Sequence, residues 1–140
     1  MKNPASLLFQ ECTVQKVFFA TCKHLGIDPS TINVNFHLVT GDEIRELNRI
    51  HRGKDTVTDT LSFPLLELCA GEIPTLDKFP YDVNPDTGKL ELGDIVICEE
   101  EGEIAFLYVH SLLHLLGYTH ATAENYDIMM QLAHKILEGI

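Results

Sequence analysis

Residues 110–120 read HSLLHLLGYTH, and no other stretch constrains the fold of this chain as tightly. Three histidines fall within eleven residues of an otherwise apolar segment. The segment reads as a helix that runs to Leu116 and stops at Gly117. His110 and His114 are four apart, so they lie one turn apart on one helical face, close enough to share a metal ion. Beyond Gly117 the chain turns back, and His120 reaches the same point. Neutral imidazoles in this arrangement suit zinc, and three protein ligands leave a fourth position for water. A water held there loses its proton near neutral pH and becomes a nucleophile. A lone histidine on an apolar face is usually a packed core residue; three around one helix-stopping glycine point to a metal. His24, His51 and His134 have no such company and are read as ordinary surface or core residues.

The rest of the chain bounds the setting of that site. Its 140 residues suit one domain, 1–140, large enough to bury a core without disulfides or metals. A metal here is therefore functional rather than a folding requirement. Cys12, Cys22, Cys69 and Cys98 form no C-x-x-C pair, which reads as reduced thiols in a cytoplasmic protein. The N-terminal residues do not resemble a signal peptide, and no apolar run is long enough to span a membrane. The net charge of -11 argues against RNA or DNA binding by global charge. A local basic patch is still available, because Arg45, Arg49, Arg52 and Lys54 are four of only ten bases.

The order of elements predicts an α+β fold: one small mixed β-sheet with helices packed on its face. Residues 13–25 read as a helix with Val14, Val17, Phe18 and Leu25 inward, ended by Gly26. INVNFHLV alternates as a half-buried strand, with His37 directed to solvent or a neighbouring strand. Thr40–Glu43 is a capping box opening a helix whose inward face is read as Ile44, Leu47 and Ile50, with Arg45, Arg49 and Arg52 opposite. RGKDTVTD is a polar loop, and TLSFPL is a strand that Pro64 ends or pushes to an edge. Residues 65–88, acidic and broken by proline and glycine, form a long loop, mobile or functional. KLELGDIVIC is another strand. Glu99, Glu100, Glu101 and Glu103 complement the dipole at the start of the histidine helix. A last helix, about 123–139, buries Met129, Met130, Ala133, Ile136 and Leu137.

The spacing H-x3-H-x2-G-x2-H also occurs in metzincin peptidases, which carry a glutamate after the first histidine as general base. Here that position is Ser111, so a peptidase is disfavoured. The segment instead resembles the YbeY family of bacterial endoribonucleases, whose signature is close to HGxLHLxGYDH. It matches at His110, Leu113, His114, Leu115, Gly117, Tyr118 and His120, and departs at Ser111, usually Gly, and Thr119, usually Asp. Leu47-Asn48, Arg52-Gly53-Lys54-Asp55 and Thr58 to Pro64 are similar to the family's LN…YRGKD.PTDVLSFP. His51 stands there for Tyr, Val57 for Pro and Thr60 for Val. Leu92 to Ile97 is similar to its LGDIVI strand.

The resemblance implies a cytoplasmic zinc-dependent endoribonuclease acting on single-stranded RNA, with one Zn2+ per chain. Its family works in ribosomal RNA processing, at the small-subunit 3′ end, and in ribosome quality control, so ribosomal RNA and the ribosomal small subunit are the implied partners. His110, His114 and His120 carry over as metal ligands, and Arg52 as the cleft arginine; Arg52 and His114 are thus the implied catalytic residues. Arg45, Arg49, Arg52 and Lys54 are the candidate RNA contacts. Asp59 and Asp94 either orient a ligand imidazole or Arg52, or serve in turns and caps. The Ser111 hydroxyl is expected to bond back along its helix. With Thr119 in place of aspartate, no residue is assigned as general base. Two other readings stay open: a ribosome-assembly factor that binds without cutting and holds structural zinc, and a metallohydrolase for another substrate.

Overall fold

A computed structural model describes residues 4–140, with side chains from Gln10 onward, Glu99 excepted. Four helices and three strands follow the order α1 (Pro4–Leu25), β1 (Ile32–Leu38), α2 (Gly41–Arg52), β2 (Thr60–Pro64), β3 (Leu90–Ile97), α3 (Ile104–Leu115) and α4 (Ala123–Glu138). Short 3-10 turns at Pro29–Thr31 and Glu99–Glu101 precede β1 and α3. The expected α+β architecture with a small mixed sheet is the one observed.

The sheet order is β1-β3-β2, with β1 parallel and β2 antiparallel to β3. β3 takes the centre because its side chains suit burial on both faces. Leu90, Leu92, Ile95 and Ile97 are fully buried, and Val96 is buried on the opposite side. Gly93 sits in this strand at φ 144°, and a Cβ there would lie 2.2 Å from the Phe63 carbonyl oxygen. Only glycine allows β2 to come that close. β2 lies at an edge and ends at Pro64, whose missing N–H costs no ladder bond there.

One face of the sheet carries the main core with α1, α3 and α4. α3 is the inner helix: Leu107, Val109, Leu112, Leu113 and Leu115 are all buried, so only a narrow edge faces out. α2 covers part of the other face through a smaller cluster of Ile44, Leu61, Val96 and Cys98.

Local capping agrees with the sequence. The Thr40 Oγ1 accepts the Glu43 N–H at 3.2 Å, and the Thr40 N–H donates to Glu43 Oε1 at 3.2 Å. Gly26 and Gly53 end α1 and α2 at φ 72° and 69°.

Four expectations are corrected. α1 already includes Pro4 rather than beginning at residue 13, and no glycine or further proline interrupts residues 5–12. Ile50 is 58% exposed and does not share the inward face of α2. Six residues at about 100° each place it a third of a turn from Ile44, and the buried position goes to Asn48. α3 ends at Leu115, with Leu116 as its cap. The glutamates before α3 do not share one helix terminus: Glu99–Glu101 form a separate turn, and Glu103 caps α3 without a side-chain bond.

Candidate metal centre and cleft

α3 delivers two imidazoles from its one exposed edge. His110 and His114 are both half-buried, and their Nε2 atoms lie 3.2 Å apart. The turn after α3 delivers the third. The Gly117 N–H donates to the His114 carbonyl at 3.1 Å and the Tyr118 N–H to the Leu113 carbonyl at 3.0 Å. Gly117 at φ 98° then reverses the chain. His120 returns to stack on His110, with ring centroids 5.7 Å apart, and meets His114 edge-on at 4.8 Å. One nitrogen from each ring lies within 4.8 Å of the other two.

This donor set fits a tetrahedral cation. Zinc–nitrogen bonds of about 2.0–2.1 Å put two ligand nitrogens roughly 3.4 Å apart, close to the spacing of the first pair. The second nitrogens explain the orientation of one ring and not of another. His114 Nδ1 lies 3.0 Å from the Tyr118 carbonyl oxygen. A carbonyl only accepts, so Nδ1 carries the proton and Nε2 presents its lone pair to the cluster. His110 Nδ1 is buried with no hydrogen-bond partner among the described residues. Burial, and then the neighbouring imidazoles, hold both His110 and His114 below the usual histidine range, so both stay neutral and able to ligate.

The three rings open into a cleft of about 580 Å³. Its far wall comes from three separate segments. Arg52, the last residue of α2, reaches it; Thr58, Asp59, Thr60 and Ser62 line it from β2 and the preceding loop; Leu66, Glu67 and Leu68 line it from the long loop. Arg52 is exposed and has no ion pair among the described residues, which leaves its guanidinium available to an anion.

The other arginines are placed differently. Arg45 Nε donates to Asp55 at 2.8 Å, and Arg49 Nε to Glu46 at 3.2 Å. Neither lines the cleft, and nor does Lys54. The two aspartates also separate. Asp59 lines the cleft, its charge opposes the lowering of His110, and its Oδ1 accepts the Thr60 N–H at 2.8 Å. Asp94 lies instead against His37 of β1 at 3.1 Å, away from the cleft. His51 packs edge-on against Phe63, with centroids 5.0 Å apart.

Two features were not read from the sequence. The first is the loop contribution: a Cβ on Gly117 would lie 2.3 Å from the Leu68 carbonyl oxygen, so this glycine seats the loop as well as ending the helix. Nothing in the composition of residues 65–88 marks Leu66 to Leu68 as cleft residues. The second is Ser111. Its hydroxyl does not bond back along the helix as expected; it meets the Thr60 hydroxyl at 2.5 Å.

Comparison with known proteins places the chain. A family model described as Endoribonuclease YbeY matches residues 6–140. The protein of that name from Agathobacter rectalis is 35% identical over 145 residues, covering 93% of this chain and 87% of the relative. Its counterpart from Clostridium kluyveri is 41% identical over 128 residues, covering 79% and 76%. A Thermotoga maritima protein solved in solution matches with a TM-score of 0.50 over 99% of this chain and 87% of its own, at 24% identity, which shows a shared fold.

Proposed function

From the premise that the chain belongs to the endoribonuclease YbeY family, we propose that it is a metal-dependent endoribonuclease working in ribosomal RNA processing. One observation of the site supports this most directly: three imidazole nitrogens converge on one wall of a cleft that Arg52, without an ion pair among the described residues, enters from the other. His110, His114 and His120 would hold the ion. When bound, it supplies a Lewis acid for a phosphodiester oxygen and a more acidic water.

The protein groups have complementary tasks. The Tyr118 carbonyl fixes the His114 tautomer and ring direction. Arg52 binds the scissile phosphate with two parallel N–H donors and stabilises the added negative charge as the bond breaks. Asp59 and Glu67 are the carboxylates on the cleft wall, where they disfavour deep entry of additional phosphates.

The same reading takes zinc as the ion, one per chain, single-stranded RNA near the small-subunit 3′ end as the substrate, the ribosome as the partner and the cytoplasm as the place. A donor set of three imidazoles supports zinc. No helix among the described residues is long and apolar enough to cross a membrane. Arg52 is the one arginine or lysine that lines the cleft among the described residues, and Arg45 and Arg49 are paired elsewhere. Affinity from the chain itself is therefore small, which favours an RNA presented by a larger assembly.

The test joins metal analysis to RNA cleavage. Purified wild type is expected to carry about one zinc and to cut single-stranded RNA until chelated. His114→Ala should lose both metal and cleavage. Arg52→Glu should keep the metal and lose cleavage by at least about a hundredfold. Undiminished cleavage by folded His114→Ala would reject the metal site as the catalytic centre.

A further inference from the structure

A hydroxyl pair joins α3 to the cleft wall one residue from His110: Ser111 is buried, and Thr60 is half-buried and lines the cleft. Ser111 has no exposed surface, and its Oγ lies 2.5 Å from Thr60 Oγ1 on β2. Thr60 Oγ1 also donates to the Val96 carbonyl of β3 at 3.0 Å. Each hydroxyl has one proton, which fixes the direction of the chain of bonds: Ser111 donates to Thr60, and Thr60 donates to Val96. These are also two of the positions at which the chain departs from the family pattern, with Thr60 for Val and Ser111 for Gly. The two departures touch each other.

Their place on α3 gives the contact its consequence. Ser111 follows His110, the ligand histidine whose Nδ1 has no hydrogen-bond partner among the described residues. A ligand imidazole is normally oriented through that second nitrogen. His110 has instead the stacked ring of Phe106, with centroids 6.0 Å apart, and the helix backbone that carries it. That backbone is tied to the sheet, one residue away, by the Ser111–Thr60–Val96 chain.

We propose that Thr60 and Ser111 are positioning residues for the metal site: their hydroxyl bridge sets the rotation of α3 at His110, whose Nδ1 has no hydrogen-bond partner among the described residues. This inference rests on the metal-site reading above. It predicts unequal effects. Thr60→Val strands the buried Ser111 hydroxyl beside His110, which must then turn to a helix carbonyl. Ser111→Ala leaves Thr60 still bonded to Val96. Thr60→Ser keeps the whole chain of bonds.

Zinc affinity by competition with a chromogenic chelator, and the visible spectrum of the Co2+-loaded protein, read the site without reference to catalysis. Thr60→Val is expected to weaken zinc by about tenfold to a hundredfold and to alter the Co2+ band. Ser111→Ala should weaken zinc by less, about threefold to tenfold, and Thr60→Ser should match wild type in both measurements. Wild-type zinc affinity and an unaltered Co2+ band in Thr60→Val overturn the proposal, even if its melting temperature falls, because the pair is then only a structural clip. Should Thr60→Val not fold, Ser111→Ala decides: affinity and spectrum equal to wild type overturn the proposal, and a loss that Thr60→Ser does not share supports it. A wild-type chain that takes up no zinc, or a His114→Ala chain that takes it up equally well, overturns the underlying metal-site reading instead.

Discussion

At the scale of single residues, protonation of the clustered imidazoles sets whether they can hold a cation. His110 and His114 are held below 6.5, first by burial and then by the rings beside them. The sign of the effect on stability follows. Well above pH 6.5 both folded and unfolded rings are neutral, and no difference arises. As pH falls below that, the unfolded rings take up protons first, so the metal-free fold loses stability through the lowered folded values. A bound metal competes with the same protons and is released as pH falls through that window. A proton NMR titration of the metal-free protein is expected to place both rings below 6.5; titration of either ring above that value would contradict it. Acid inactivation should therefore track metal loss.

At the scale of elements, the cleft depends on how α2 and the long loop are held. α2 packs on the sheet through Ile44, which has no exposed surface, and is tied to the following loop by Asn48, whose side-chain amide donates to the Thr56 carbonyl at 3.0 Å. Ile44→Ala should cost about 2–5 kcal/mol in denaturant unfolding, by lost burial and a cavity. It should also reduce cleavage while zinc affinity stays near wild type, because α2 carries Arg52 and no metal ligand. Gly117→Ala acts on the opposite wall. It places a Cβ in a left-handed backbone position and 2.3 Å from the Leu68 carbonyl oxygen, so both the turn to His120 and the loop seat must shift. The expected cost is roughly 1–3 kcal/mol, with weaker zinc binding as well, and unchanged stability and affinity would reject the dual role of this glycine.

For the whole molecule, the core is large enough that the metal need not hold the fold together. Among the described residues, twenty-one buried side chains form one continuous cluster, mainly from α1, the sheet, α3 and α4, and the three clustered histidines lie at its edge. Chelation is therefore expected to lower the melting temperature and stop cleavage without unfolding the chain at 25 °C, in contrast to a structural zinc domain. Calorimetry of the metal-free protein should show one cooperative transition, as a single domain over 1–140 requires; two separated transitions would refute that. Charge acts at this scale too. With a net charge of -11 and Arg45 and Arg49 paired, few phosphates are neutralised, so RNA affinity should depend only weakly on salt, with a logarithmic slope of about -1 to -2.

What the sequence determined by itself is what short-range geometry controls. Four residues on a helix bring His110 and His114 to one edge, a glycine at 117 returns His120 to them, Thr40 and Glu43 cap α2, and period-two alternation marks β1. Each depends on bonds and dihedral angles within a few residues, so the letters suffice. The tertiary structure decided what depends on packing across the sheet. It brought Arg52 into the cleft from 58 residues before His110, while Arg45 and Arg49, paired with Asp55 and Glu46, do not line it. It turned Asp94 to His37, seated the long loop on Gly117, and set the Ser111 hydroxyl against Thr60 rather than its own helix. These partners are fixed by strand register and by the depth at which α3 sits on β2 and β3, and no local periodicity in the chain encodes either.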